Sequence, residues 1–149
     1  MKLSKNLTLA EVVRSESAKR RGIDNTPTDE HLENLKLIAK EIFQPIRDHF
    51  KKPIHISSGY RSKELNNALK GASSTSQHMT GEALDIDMDG TSISNADVFE
   101  FIKENLDFDT LIWEFGNDEN PDWVHVSHRA NRNQRGRIFK ATSDGYKLI

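Results

Sequence analysis

Two short segments about forty residues apart alternate polar and apolar side chains so regularly that they limit what this chain can fold into. In the first, Ala83, Asp85 and Asp87 share one face while Leu84, Ile86 and Met88 share the other. In the second, Trp123, His125 and Ser127 lie opposite Val124 and Val126. Each segment reads as a half-buried strand. The apolar faces belong to the core, so Asp85 and His125 turn toward a common cleft if the strands are neighbours. His78 arrives from the polar loop Ala72 to Gln77, and Gly81 permits the bend into the strand that carries Asp85.

Two imidazoles and a carboxylate are a donor set for a metal. A catalytic zinc site takes three such protein ligands and leaves the fourth position to water, which the metal acidifies to a pKa of about 7. The residues alone leave alternatives open, because a His and an Asp at this spacing also occur as structural residues, and Asp87 is an equal ligand candidate by parity. Asp122, beside the second strand, is a candidate for taking the water's proton. Strict alternation puts it on the wrong side of His125, so that role requires Pro121 to hold it in a bend. Arg61 can clamp a carboxylate or pair with Glu64. Glu114 can orient a metal-binding histidine or be an edge charge, and Ser127 is a further candidate for that orienting role. Trp113 and Trp123 are core residues or cleft walls. His31, His49 and His55 read as surface or structural residues, and His128, opposite in parity to His125, as a surface residue.

The 149 residues suit a single domain spanning residues 1–149, with a helical part over 1–50 and a catalytic part over 51–149. A net charge of −2, from 21 basic and 23 acidic residues, provides no general attraction to nucleic acid or anionic membrane. With no cysteine, a metal must be held by nitrogen and oxygen. The polar N-terminus shows no secretory signal, and no apolar run approaches the roughly 20 residues that span a bilayer. The expectation is a monomer made in the cytoplasm and exported, if at all, by a route without a signal peptide.

Thr8 and Glu11 have capping-box spacing, so a short helix starts there, followed by a polar stretch from Ser15 to Gly22 and a turn from Ile23 to Pro27. From Thr28 onward, Leu32, Leu35, Ile38, Ile42, Ile46 and Phe50 recur at helical spacing, with a kink expected at Pro45. Pro53 to Ser57 reads as a strand, Ser62 to Lys70 as a helix closed by Gly71, and Ser94 with Asp97 caps another helix. Thr110 to Phe115 and Trp123 to Ser127 form an antiparallel hairpin, Arg129 to Arg137 is locally basic, and Ser143 to Tyr146 reads as a final turn. Helices come first and strands later, which favours an α+β domain.

The pattern Ser-x-His-x-x-Gly-x-Ala-x-Asp at Ser76 to Asp85, then Asp-x-x-His at Asp122 to His125, preceded by Ser57-Ser58-Gly59-Tyr60-Arg61-Ser62, closely resembles the zinc D-Ala-D-Ala carboxypeptidase family. Its small single-domain branch in phages and bacteria also carries a leading segment like Leu7 to Arg47. The resemblance implies His78, Asp85 and His125 as ligands of Zn2+ and Asp122 as general base, where the family more often has Glu. It also implies Arg61 as the substrate-orienting arginine and Ser76 as a serine lining the substrate site. The implied fold is the hedgehog/DD-peptidase α+β fold around a small antiparallel sheet. The implied activity is hydrolysis of peptidoglycan stem peptides, either trimming the terminal D-Ala or, as in phage endolysins that degrade the cell wall, cutting L-Ala-D-Glu. Release through a holin would bring such an enzyme to its substrate. A zinc-binding module of the same fold without turnover is the competing reading, and a structural zinc site would require a fourth ligand such as His128.

Overall fold

In the computed structural model, which describes residues 1–149, local capping chemistry starts the helices. After a small ladder of β1 (Lys2–Ser4) and β2 (Leu7–Thr8), the expected capping box opens α1 (Leu9–Val13). Thr8 Oγ1 accepts from the Glu11 N–H, and the Glu11 carboxylate accepts from the Thr8 N–H. The polar stretch that follows contains α2 (Glu16–Arg21), capped by Ser15 and closed by Gly22 at φ 64°. Only Ala18 is buried on it, so no apolar periodicity announced this helix.

The long helix from Thr28 consists of α3 (Asp29–Ile38), a π turn over Ala39–Phe43 and α4 (Gln44–Phe50). Pro45 has no N–H to offer the Glu41 carbonyl four residues back. The chain relaxes into the wider turn instead, with the Gln44 N–H bonding the Ala39 carbonyl, so a π turn stands where a kink was expected. Leu35, Ile38, Ile42 and Ile46 form the buried stripe of the helix.

The remaining elements are β3 (Ile56–Ser58), α5 (Lys63–Ala68), β4 (Ala83–Ile86), α6 (Asn95–Asn105), β5 (Thr110–Glu114), β6 (Trp123–Ser127), β7 (Arg137–Thr142) and β8 (Gly145–Leu148). The strands line up as β3-β4-β6-β5-β7-β8. Neighbours are antiparallel except β5 and β7. The sheet is therefore mixed, larger than the small antiparallel sheet expected, because residues 128–136 carry the chain past the start of β5 to its far side. Buried Asp109 anchors that crossing through two bonds to the Arg135 guanidinium, at 2.8 and 2.7 Å, and one to the Arg135 N–H. The C-terminal segment read as a turn closes the β7–β8 hairpin, whose half-exposed strands lack the burial contrast that marks β4 and β6.

One core cluster runs from Leu3 to Val126 and joins the N-terminal helices to one face of the sheet. Leu84, Ile86, Val124 and Val126 are wholly buried in it. A slip of one residue between β4 and β6 would turn all four outward, at about 2 kcal/mol each, or about 8 kcal/mol together. That rivals the whole stability of an ordinary domain, so the register is firmly set. The fold is α+β, and the opposite face of the sheet carries the cleft.

Candidate metal centre

Asp85 on β4 pairs directly with His125 on β6, as alternation predicts, with Leu84, Ile86, Val124 and Val126 on the core side. His78 sits in a 3-10 turn, Gln77–Thr80, that Ser76 caps by accepting from the His78 N–H. Gly81 ends that turn at φ 77°, where a Cβ would lie 2.6 Å from the His31 carbonyl oxygen. His78 Nε2 lies 3.3 Å, and His125 Nδ1 3.0 Å, from the same Asp85 oxygen. The cluster has three members, all donor atoms lying within 4.8 Å of one another.

The hydrogen bonding around His78 favours a cation there. His78 Nδ1 is 2.6 Å from the Gly59 carbonyl oxygen, which can only accept, so this nitrogen carries the proton. In a neutral imidazole, Nε2 then turns a lone pair toward the Asp85 carboxylate. Two electron-rich atoms 3.3 Å apart call for a proton or a metal ion between them. Distances of 3.0 and 3.3 Å are close to the edge of a tetrahedron with bonds of about 2.0–2.1 Å, which is about 3.3 Å. Burial alone would raise the Asp85 carboxyl, but the two imidazoles hold it well below the usual carboxylate range. The residues fit a zinc ion.

Gly59 has a further constraint. A Cβ there would sit 2.5 Å from the Val12 carbonyl oxygen, so α1 packs directly on the backbone that orients His78. The Tyr60 N–H bonds that same Val12 oxygen, and the Arg61 N–H bonds the His78 carbonyl. Arg61 itself lines the cleft, its Nη2 3.6 Å from the second Asp85 oxygen, with further bonds to Ser58 and Asn66. Glu64 does not pair with it.

Two carboxylates are placed differently from the sequence-based expectation. Asp122 is exposed and outside the cleft, since its N–H continues the ladder to the Glu114 carbonyl and no bend turns it toward His125. Glu114 pairs across the sheet with Trp123, shares a face with His125 and lines the cleft while only 5% exposed. Burial pushes its carboxyl up to about 7, with the Asp85 charge adding to the rise and His125 opposing it. No protein group hydrogen-bonds that carboxyl. Two strands alternating in register hold the signal for this placement, because Glu114 lies two residues from Ile112, the partner of His125.

Ser76 lines the cleft, whereas Ser127 is buried and accepts from the Thr110 N–H without touching a member of the cluster. Trp113 packs edge-on against Phe99 in the core, and half-buried Trp123 lines the cleft. His128 stands apart from the cluster, its N–H bonded to the Glu82 carbonyl, with burial lowering its pKa. His31 bonds the Tyr60 hydroxyl, His49 stacks on Phe101, and His55 bonds the Asp87 carbonyl.

An α+β sheet with a His-Asp-His cluster lining a cleft defines a protein with a candidate metal site open to a ligand. The family model for Peptidase M15 matches residues 5–127, and the chain belongs to that family, the zinc D-Ala-D-Ala carboxypeptidase family with its hedgehog/DD-peptidase fold. Membership makes it a zinc metallopeptidase acting on peptides. No curated protein matches the chain. No helix is long and apolar enough to cross a membrane.

Proposed function

We propose that this protein hydrolyses peptidoglycan stem peptides, with His78, Asp85 and His125 as the ligands of a catalytic zinc. The observation that carries this reading is the three-member donor cluster in an open cleft, with the Glu114 carboxyl lining that cleft on the face of His125 and hydrogen-bonded by no protein group. Zinc, when bound, supplies Lewis-acid polarisation and an acidified water.

The chain's own residues supply the rest. Glu114, rather than Asp122, takes the proton of the attacking water and hands it to the leaving amine, because it shares the face of His125 and is not a member of the donor cluster. Arg61 and Ser76 orient the peptide, the guanidinium holding a carboxylate or carbonyl in a near-attack pose. The Gly59 carbonyl keeps the His78 proton on Nδ1 and leaves Nε2 for the metal. A carboxyl in the cleft beside the cluster, free of protein hydrogen bonds, favours a working peptidase over a binding module.

The test is incubation of the zinc-loaded protein with purified peptidoglycan and stem peptides, followed by mass spectrometry. Free alanine places the cut at the D-Ala terminus, and severed stems place it at L-Ala-D-Glu. Either product supports the peptidase reading. Intact substrate, with zinc bound to the protein, contradicts it.

A further inference from the structure

The locally basic stretch after His125 divides into two kinds of arginine. Arg135 is bound to Asp109 at 2.7 Å, Arg129 lies 3.8 Å from the same carboxylate, and Arg132 lies 3.9 Å from Glu82. These three have acidic partners within the protein. Arg137, at the start of β7, has none. Its Nη2 donates to Thr110 Oγ1 at 3.1 Å and its guanidinium lies over the Phe139 ring, 5.4 Å from the centroid. Its Nε is buried without a hydrogen-bond partner. No protein group accepts from its Nη1, which is not buried as Nε is, so the guanidinium keeps a donor that an anion in the cleft can reach.

Arg137 also lines the cleft that holds the metal cluster. Register places it on the cleft face: Arg137 pairs with Thr110, Phe139 with Ile112, and Ile112 with His125. β7 lies two strands from β6, about 10 Å across the sheet. Arg61, by contrast, touches Asp85 at the other side of the cluster. The cleft therefore has a cation on each side of its metal cluster, and the one on β7 lies beyond the residues 5–127 that match the family.

We propose that Arg137 is a second anchor, which selects peptides carrying a free carboxylate displaced from the scissile bond toward the β7–β8 hairpin. The inference rests on the peptidase reading for its substrate class. Arg137 binds the acidic group through charge-assisted hydrogen bonds, with Phe139 holding the guanidinium plane in place. It is a specificity residue and takes no proton in the reaction.

Binding separates this proposal from the peptidase reading. The probes are a stem peptide, its twin with the D-glutamyl carboxylate converted to the amide, and its twin with the C-terminal carboxylate converted to the amide. Each is titrated calorimetrically into the full chain, metal-free and zinc-loaded, while cleavage is followed in parallel. The wild type is expected to lose affinity about tenfold on amidation at one of the two positions. Arg137→Gln is expected to be insensitive to that same amidation, with its zinc content and melting temperature unchanged, and Arg137→Lys to keep part of the discrimination. Arg137→Gln retaining the wild type's discrimination at both positions overturns the proposal, as does a uniform loss of affinity for all three peptides. A preserved binding difference without cleavage overturns the peptidase reading alone.

Discussion

Glu114 has a chemistry that its burial creates. Its carboxyl is pushed up to about 7 from an ordinary 4.5, so the folded state binds a proton there that the unfolded chain has already released. A raised carboxyl pKa stabilises the fold fully below the unfolded value, and that contribution is lost as pH rises through the folded one. The metal-free protein therefore gives up stability between about pH 4.5 and pH 7 to keep this carboxyl in the cleft. Glu114→Gln is expected to melt with the wild type near pH 4 and above it near pH 8, as thermal denaturation of the metal-free proteins would show. Zinc-loaded Glu114→Gln should lose peptide hydrolysis by roughly a hundredfold or more while keeping its metal, and Asp122→Asn should stay within about twofold of wild type. The reverse pattern, measured on one stem peptide, would return the base to Asp122.

At the scale of elements, the centre depends on contacts that leave no room. α1 presses its Val12 carbonyl against Gly59, whose own carbonyl fixes the tautomer of His78. Gly59→Ala forces either α1 or the loop after β3 to move and shifts that acceptor. The expected result is a zinc affinity weakened about 10- to 100-fold with secondary structure retained, measured by competition with a chromophoric chelator. Unchanged affinity would show that the Gly59 carbonyl does not govern the ligand. Here the limits of reading strands and helices from the sequence are also visible. The alternation in β4 and β6 was legible because one face of each enters the core, and the Asp85–His125 pairing followed from it. The α1 capping box was legible too. β7 and β8 were not, because a half-exposed hairpin has no buried face to impose a period, and α2 hides behind a single buried Ala18. The sequence leaves Glu114 open between a partner of a metal-binding histidine and an edge charge, because its position depends on the cross-strand register, which a single sequence does not show. Alternation already put Asp122 on the far side of His125, and its exposed position outside the cleft follows that parity, not the bend at Pro121 that a role as base requires.

Across the whole molecule, one face of the sheet is committed to packing and the other to chemistry. The core ties the N-terminal helices to β4, β5 and β6, so the strands bearing Asp85 and His125 are held from behind by wholly buried side chains. Polar anchors then fix the perimeter. Asp109 pins the 128–136 crossing, with Arg135 holding its carboxyl down at about 2 against the effect of burial. Asn95 gathers the end of β4 and the start of β6 through bonds to Met88, Asp87 and the Pro121 and Asp122 carbonyls. A frame built this way holds the His78, Asp85 and His125 side chains in position beside an open cleft. The most direct test is anomalous scattering at the zinc edge from crystals of the zinc-loaded protein. One strong peak is predicted per chain, within bonding distance of His78, Asp85 and His125 and of no fourth protein ligand. A peak elsewhere, no peak, or a fourth protein donor such as His128 would contradict the account of a catalytic zinc.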